Sequence, residues 1–346
     1  MNEQGNDIDR VLLVTPMVFS YHVTICEALR RIGYEPTWWN DRGPGTTAAK
    51  IALRLWPSMA RRWMEAGYLR RIDELPQGSI RHILIIKGEG LGSRVLRRLR
   101  ERFPDASMGL YLWDSLENAR GIQEVAPLYD SAATFDPVDA SDNGWHYRPL
   151  FARTVALAAD TGEKPQYDWC FVGTIHSDRY RVITRLRKLE GGESRSFVFA
   201  YFPSWLVLAA RWLVDWSLWR APAGELSTAP MPAADVAQVV ARSRAVLDVE
   251  HPRQRGLTMR TIETLLTRHK LLNTNQHLLS CDLYHPSRAQ MIDRASPQID
   301  RGFLDTPALP IAAELRARYT CESWIGELLQ HQIEARARRQ GTPAAG

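Results

Sequence analysis

Short apolar runs recur along the chain, each followed by a helix-length stretch, and this alternation constrains the fold more than any other feature. The runs at 11–15, 36–39, 82–87, 108–113 and 132–135 read as strands, and 20–32 and 93–103 as helices between them. A longer helical pattern, 47–75, is broken by Pro57. After a connector near 145–151 the pattern restarts, with strands at 167–172, 196–201, 245–249 and 270–273. Helices are expected there at 179–189, 205–219, 236–243 and 259–267, a loop at 221–234, and closing helices at 310–319 and 321–339. Strands that alternate with helices predict an α/β fold with mostly parallel sheets. At roughly 150 residues per domain, the 346 residues make two such halves. No repeat at a solenoid period is present.

Composition narrows the partners. The four cysteines form no CxxC pair, which argues against a disulfide scaffold or zinc ribbon and for a reducing, cytoplasmic setting. The polar opening MNEQGNDIDR and the short run 11–14 do not read as a signal peptide. No uncharged apolar stretch reaches the ~18 residues of a membrane span. Of 44 basic residues only five are lysine, and the net charge is +5. Arginine favours bidentate contact with phosphate, so a nucleotide, a membrane surface or nucleic acid suits this chain.

In open parallel sheets, ligands bind beyond the carboxyl ends of the strands. The most informative such segment runs from Ala245 to Glu263: a strand, a loop containing Gly256, and a helix beginning near Thr258. A helix start suits phosphate, and Arg253, Arg255 and Arg260 add charge near it. Glu263 lies one turn beyond Arg260, where a carboxylate accepts hydrogen bonds from ribose hydroxyls. The plainer reading is a solvated loop with an Arg260–Glu263 surface pair.

The run Gly256-Leu-Thr-Met-Arg-Thr-Ile-Glu263, followed by a strand ending Asn273-Thr-Asn275, resembles the donor-binding segment of group 1-type glycosyltransferases with the GT-B architecture. Tyr111-Leu-Trp-Asp-Ser115 with Asn118, Thr134-Phe-Asp-Pro-Val-Asp139 and Phe171-Val-Gly-Thr-Ile-His-Ser-Asp-Arg179 resemble a bacterial subfamily assigned to capsular and lipopolysaccharide biosynthesis. The similarity is patchy and covers about 80–295. It implies two Rossmann-like domains facing a central cleft: 1–150 for the acceptor, 151–320 for the nucleotide-sugar donor, and a 321–346 segment whose helix crosses back before a polar tail. By the same resemblance Glu263 binds the donor ribose, Thr258 and Arg260 contact the pyrophosphate, and Gly173, Thr174 and Arg179 border the phosphates from the loop after the first strand of the second domain. The metal-independent GT-B pattern relies on such cations to neutralise the leaving diphosphate. No cofactor beyond the donor is implied, and Asp136-Pro-Val-Asp139 reads as an Asp/Pro turn rather than a metal site.

Candidates for the catalytic base at strand ends are Asp114 first and His22 second, with Glu89, Asp136 and His176 behind them. The bland alternatives are helix caps for Asp114 and a packing or capping role for His22. Lys87-Gly-Glu-Gly-Leu-Gly92 is a near-miss of the dinucleotide fingerprint, since its third glycine falls one position early. It reads as a glycine turn on the acceptor side. Trp205, Trp212, Trp216 and Trp219, and separately the segment 50–71, mix apolar residues with arginine. That composition suits a membrane interface; the alternative is that these tryptophans are core or pack between domains.

The sequence therefore reads as a hexosyltransferase-like enzyme moving a sugar from a nucleotide-diphosphate donor to a saccharide or lipid-linked acceptor in bacterial surface-polysaccharide or glycolipid synthesis, in the cytoplasm or at the inner membrane surface. The competing reading is a nicotinamide-dependent oxidoreductase, or another nucleotide-binding Rossmann enzyme, built on 87–92. Nucleic acid is not an expected partner, because the arginines scatter over many helices.

Overall fold

The computed structural model describes residues 8–18, 20–41, 57–88, 90–119, 121–153, 164–190 and 195–341. The chain divides into two compact units, Met1–Pro149 with Cys321–Gly346, and Leu150–Thr320. Each unit carries one six-stranded sheet, and every strand pairing in both is parallel.

In the first unit β1 (Arg10–Val14), β2 (Glu35–Trp39), β3 (His82–Ile86), β4 (Ser107–Leu112), β5 (Ser131–Thr134) and β6 (His146–Tyr147) lie in the order β2-β1-β3-β4-β5-β6. Parallel neighbours need crossover connections. Helices α1 (Tyr21–Arg31), α2 (Pro57–Glu74), α3 (Ser93–Arg102) and α4 (Pro137–Asn143) stand in these connections. Strands β3 and β4 are buried at every position, as expected of a sheet covered on both faces. The covering faces follow helical spacing: Ile25, Ala28 and Leu29 on α1, Met64, Tyr68 and Ile72 on α2. The C-terminal helix, Cys321–Arg339, belongs to this unit and packs on α1, β4 and β5. Its Trp324 is fully buried edge-on to Tyr111, with ring centroids 4.9 Å apart. The buried Gln332 donates from Nε2 to Ser107 Oγ at 2.9 Å.

In the second unit β7 (Tyr167–Thr174), β8 (Ser196–Tyr201), β9 (Leu226–Ser227), β10 (Ser243–Asp248), β11 (Lys270–Asn273) and β12 (Ala289–Met291) lie in the order β12-β11-β10-β7-β8-β9. The longer helices here are α5 (Arg179–Leu189), α6 (Trp205–Val214), α7 (Ala233–Ala241) and α8 (Met259–Leu265). One core gathers Trp169, Phe171, Ile183, Leu247 and Leu272, and another Ile262, Leu265, Leu271 and Tyr319. The two ends of the unit meet, since Ala152 N donates to Tyr319 O at 2.8 Å.

Several expectations change. The helix foreseen over 205–219 stops at Val214, because Asp215 turns inward and its carboxylate caps the 3-10 turn Trp216–Arg220. The loop foreseen over 221–234 holds the two-residue strand β9 paired to β8. The Asp/Pro turn after Phe135 is the start of α4, with Asp136 as its N-cap on Val138 N and Asp139 N. Of the helical pattern 47–75, residues 47–56 lie outside the described ones.

Strand order is what locates function in such sheets. It reverses between β1 and β3 in the first unit and between β7 and β10 in the second. A crevice opens beyond the carboxyl ends at such a switch point.

Candidate functional site

At the switch point of the second unit β7 runs on through Gly173 and Thr174, which pair with Ala200 and Tyr201 of β8. The pair expected in a loop is therefore strand. The loop proper begins at Ile175, and Ser177 within it holds φ at 48°. Only three non-glycine residues show positive φ among the described ones: Ser20, Lys87 and Ser177. All three lie just beyond β1, β3 or β7, the strands that flank the switch points. Strained backbone of this kind costs about 1–3 kcal/mol per residue and concentrates at functional sites.

Arg179 opens α5 and turns back over the sheet. Its Nη1 donates to Thr174 O at 2.9 Å and its Nε to Val249 O, so it ties the ends of β7 and β10 together. Burial pushes its pKa down; the nearby Asp248 opposes this, and the charges of Arg260 and Arg294 reinforce it. Arg260 makes no hydrogen bond or ion pair with any described side chain. Arg294 is engaged, with Nη1 on Asp178 at 2.8 Å and Nη2 on Glu250 at 2.6 Å. His176 and His251 approach from the two flanking loops, with ring centroids 5.5 Å apart. Burial, then Arg179 and His251, lower the pKa of His176 to about 4, so its ring is neutral at pH 7. Around the His176 ring the charges of Arg179 and Arg211 are opposed by that of Asp178.

The loop from β10 to α8 is held by a polar network. Thr258 Oγ1 donates to Asp248 Oδ2 and accepts from Thr261 N. Thr261 Oγ1 donates to the same carboxylate oxygen at 2.7 Å and accepts from Asn273 Nδ2 at 3.0 Å. Thr258 is thus the N-cap of α8 and its hydroxyl is committed there. Gly256 is buried, and its carbonyl accepts from Gln254 Nε2 at 2.9 Å. With only seven residues, α8 contributes a small dipole; the formal charges dominate. Glu263 does not pair with Arg260. Its Oε1 accepts from Arg153 Nε at 2.6 Å and its Oε2 from Arg153 Nη2 at 3.3 Å. Sequence reasoning missed Arg153, which lies 110 positions away.

At the switch point of the first unit His22 sits in the first turn of α1 and stacks on Trp38 with centroids 4.3 Å apart. Its Nδ1 is buried without a hydrogen-bond partner among the described residues, and burial lowers its pKa. Lys87 Nζ donates to Asp114 Oδ2 at 2.5 Å, across the ends of β3 and β4. Asp114 is therefore paired rather than spent on a helix cap. The glycines of 87–92 answer to backbone demands: Gly88 has φ of 71°, and a Cβ on Gly90 would lie 1.9 Å from Asp41 O. Asp136 is fully buried and accepts from Ser115 Oγ at 2.8 Å, which removes it from the candidate bases. Glu89 lies outside the described residues. Among the described residues no cluster of three His, Cys, Asp or Glu is placed to hold a metal ion.

No protein-family profile matches the sequence, and no curated protein matches it either. Solved structures do. An α,α-trehalose-phosphate synthase (UDP-forming) from Burkholderia xenovorans, in complex with glucose-6-phosphate, aligns with a TM-score of 0.61 at 11% identity, over 94% of this chain and 100% of that one. Another from Burkholderia vietnamiensis gives 0.57 at 13%, over 96% and 98%. The fold is GT-B. A UDP-GlcNAc 2-epimerase from Methanocaldococcus jannaschii shares it too, at a TM-score of 0.50 and 8% identity over 93% and 99%. Transferases and an epimerase thus use one GT-B scaffold, and reaction class has to be argued from side chains.

Proposed function

We propose that this chain is a glycosyltransferase. It takes a hexosyl group from a nucleoside-diphosphate sugar held by the second unit and passes it to a saccharide, free or lipid-linked, held by the first. The setting we infer is bacterial surface-polysaccharide or glycolipid synthesis in the cytoplasm. The observation that carries the reading is Arg260 beside Arg179 at the switch point of a GT-B unit. Charge left uncompensated in a partly desolvated position suits a diphosphate. The solved structures of this fold support it by their descriptions, one being UDP-forming and crystallised with glucose-6-phosphate.

In the transfer, the bond between the anomeric carbon and the diphosphate oxygen breaks and a bond to the acceptor oxygen forms. Arg260 and the free N–H groups of Arg179 stabilise the departing diphosphate, so no metal ion is required in that role. Gly173 and Thr174 at the end of β7, and separately Gly256 and the Thr258 cap at the end of the loop after β10, border the phosphates in this reading. Glu263 accepts the ribose hydroxyls with the lone pairs that Arg153 leaves, since a carboxylate offers about four acceptor sites. The acceptor proton passes to Asp114, positioned by Lys87, with the neutral His22 as second choice.

Thermal-shift titration with UDP, GDP and CDP tests the reading. A nucleotide at 100 times its dissociation constant stabilises the fold by about 2.7 kcal/mol. Arg260→Ala weakens that binding about tenfold or more while leaving the unliganded melting temperature nearly unchanged. Absence of a shift with every nucleoside diphosphate would overturn the assignment.

A further inference from the structure

The segment from α6 through the 3-10 turn Trp216–Arg220 exposes large apolar side chains in a way a soluble surface does not. Trp216 and Leu213 are each 79% exposed, and Trp205, Leu206, Val214 and Trp219 each exceed 60%. Monomeric proteins seldom leave contiguous apolar area of this kind uncovered without an interaction to serve.

The charges beside it select the occupant. From 203 to 224 the charged residues are Arg211, Asp215 and Arg220. Asp215 is buried and held by Ser217, and the half-exposed Arg181 stands 3.7 Å from it. Within 203–224 the exposed charge is therefore positive only. Tryptophan and arginine on one surface match the headgroup level of a bilayer, where the indole is half buried and the guanidinium meets lipid phosphate. The ten residues of α6 extend about 15 Å, half of a hydrocarbon core, so this element lies in the interface and does not cross.

We propose that α6 and the Trp216–Arg220 turn dock the protein on an anionic lipid surface. The inference does not depend on the transferase reading. It places that surface close to the carboxyl edge of the second sheet, because α6 begins four residues after β8 and Arg211 Nη1 donates to Ser177 O at 3.3 Å.

Vesicle flotation tests it with the full-length protein. With vesicles of phosphatidylcholine and phosphatidylglycerol at low salt the protein floats, and with phosphatidylcholine alone it floats far less. Adding salt weakens the first interaction. The double variant Trp205→Ser, Trp216→Ser lowers partitioning about tenfold or more, and Arg220→Gln about fivefold. Both changes are at exposed positions and leave the melting temperature in place. Protein that stays in the bottom fraction with phosphatidylglycerol vesicles, or a tryptophan variant that floats like the parent, overturns the proposal. So does concentration-dependent self-association that the same variant abolishes while vesicles take up neither form, since the patch is then an interface between copies.

Discussion

Individual side chains at the switch point of the second unit differ in what they are bonded to. Arg179 and Thr258 are tied to Thr174 O, Val249 O and Asp248, whereas Arg260 has no hydrogen bond or ion pair with any described side chain. For the acceptor proton the expectation is that Asp114→Asn lowers transfer about 10²–10⁴-fold with nucleoside-diphosphate affinity intact, and that His22→Gln costs less. Undiminished turnover in the Asp114 variant would remove it as the base. His176 gives a pH signature. Its folded pKa of about 4 lies below the ordinary 6.5, so between those values the unfolded chain binds more protons than the folded one. Stability attributable to this ring is full above pH 6.5 and is lost as pH falls toward 4. NMR of the ring carbons should show a midpoint near 4, and His176→Gln should flatten that part of the stability curve; a midpoint near 6.5 would show a solvated imidazole.

At the scale of elements, the C-terminal helix shows how a distant segment completes a sheet. Trp324, Ile325, Leu328 and Leu329 are buried on the spacing of one helical face. Trp324→Ala should cost about 3–5 kcal/mol in denaturant unfolding, through loss of its contact with Tyr111; a cost below about 1 kcal/mol would mean the helix is not integral to the first core. Most elements were legible in advance, Arg179–Leu189 and Cys321–Arg339 to the residue. Those that were not are short or break a pattern. Strands β6, β9 and β12 have only two or three residues, too few to show a period. The break at Asp215 depends on a carboxylate finding Ser217 rather than solvent, which no propensity encodes. The tryptophans of α6 and the turn after it had a membrane-interface reading in sequence and a core or interdomain one; Trp205, Trp212, Trp216 and Trp219 are exposed, which removes the core reading.

For the whole molecule, the second unit is an insertion between Pro149 and Cys321 whose ends are joined by the Ala152–Tyr319 hydrogen bond. It has its own cores on both faces of its sheet. Residues 150–320 expressed alone should therefore fold cooperatively and keep the thermal response to a nucleoside diphosphate, whereas a chain ending at 320 should lose stability in the first unit. An unfolded 150–320 fragment would show that the second unit does not fold by itself.

Taken by itself, the sequence determined the class of fold, because the alternation of apolar runs and helical faces is a local property of the chain. It also placed Gly256, Arg260 and Glu263 on one loop and helix. Tertiary structure alone decided the order of the strands, and with it which loops stand at a switch point. It decided that Glu263 meets Arg153, that Asp114 meets Lys87 and that Asp136 is a cap. These partners are far apart in the chain or share no period, so only the packing of the sheets and helices brings them together.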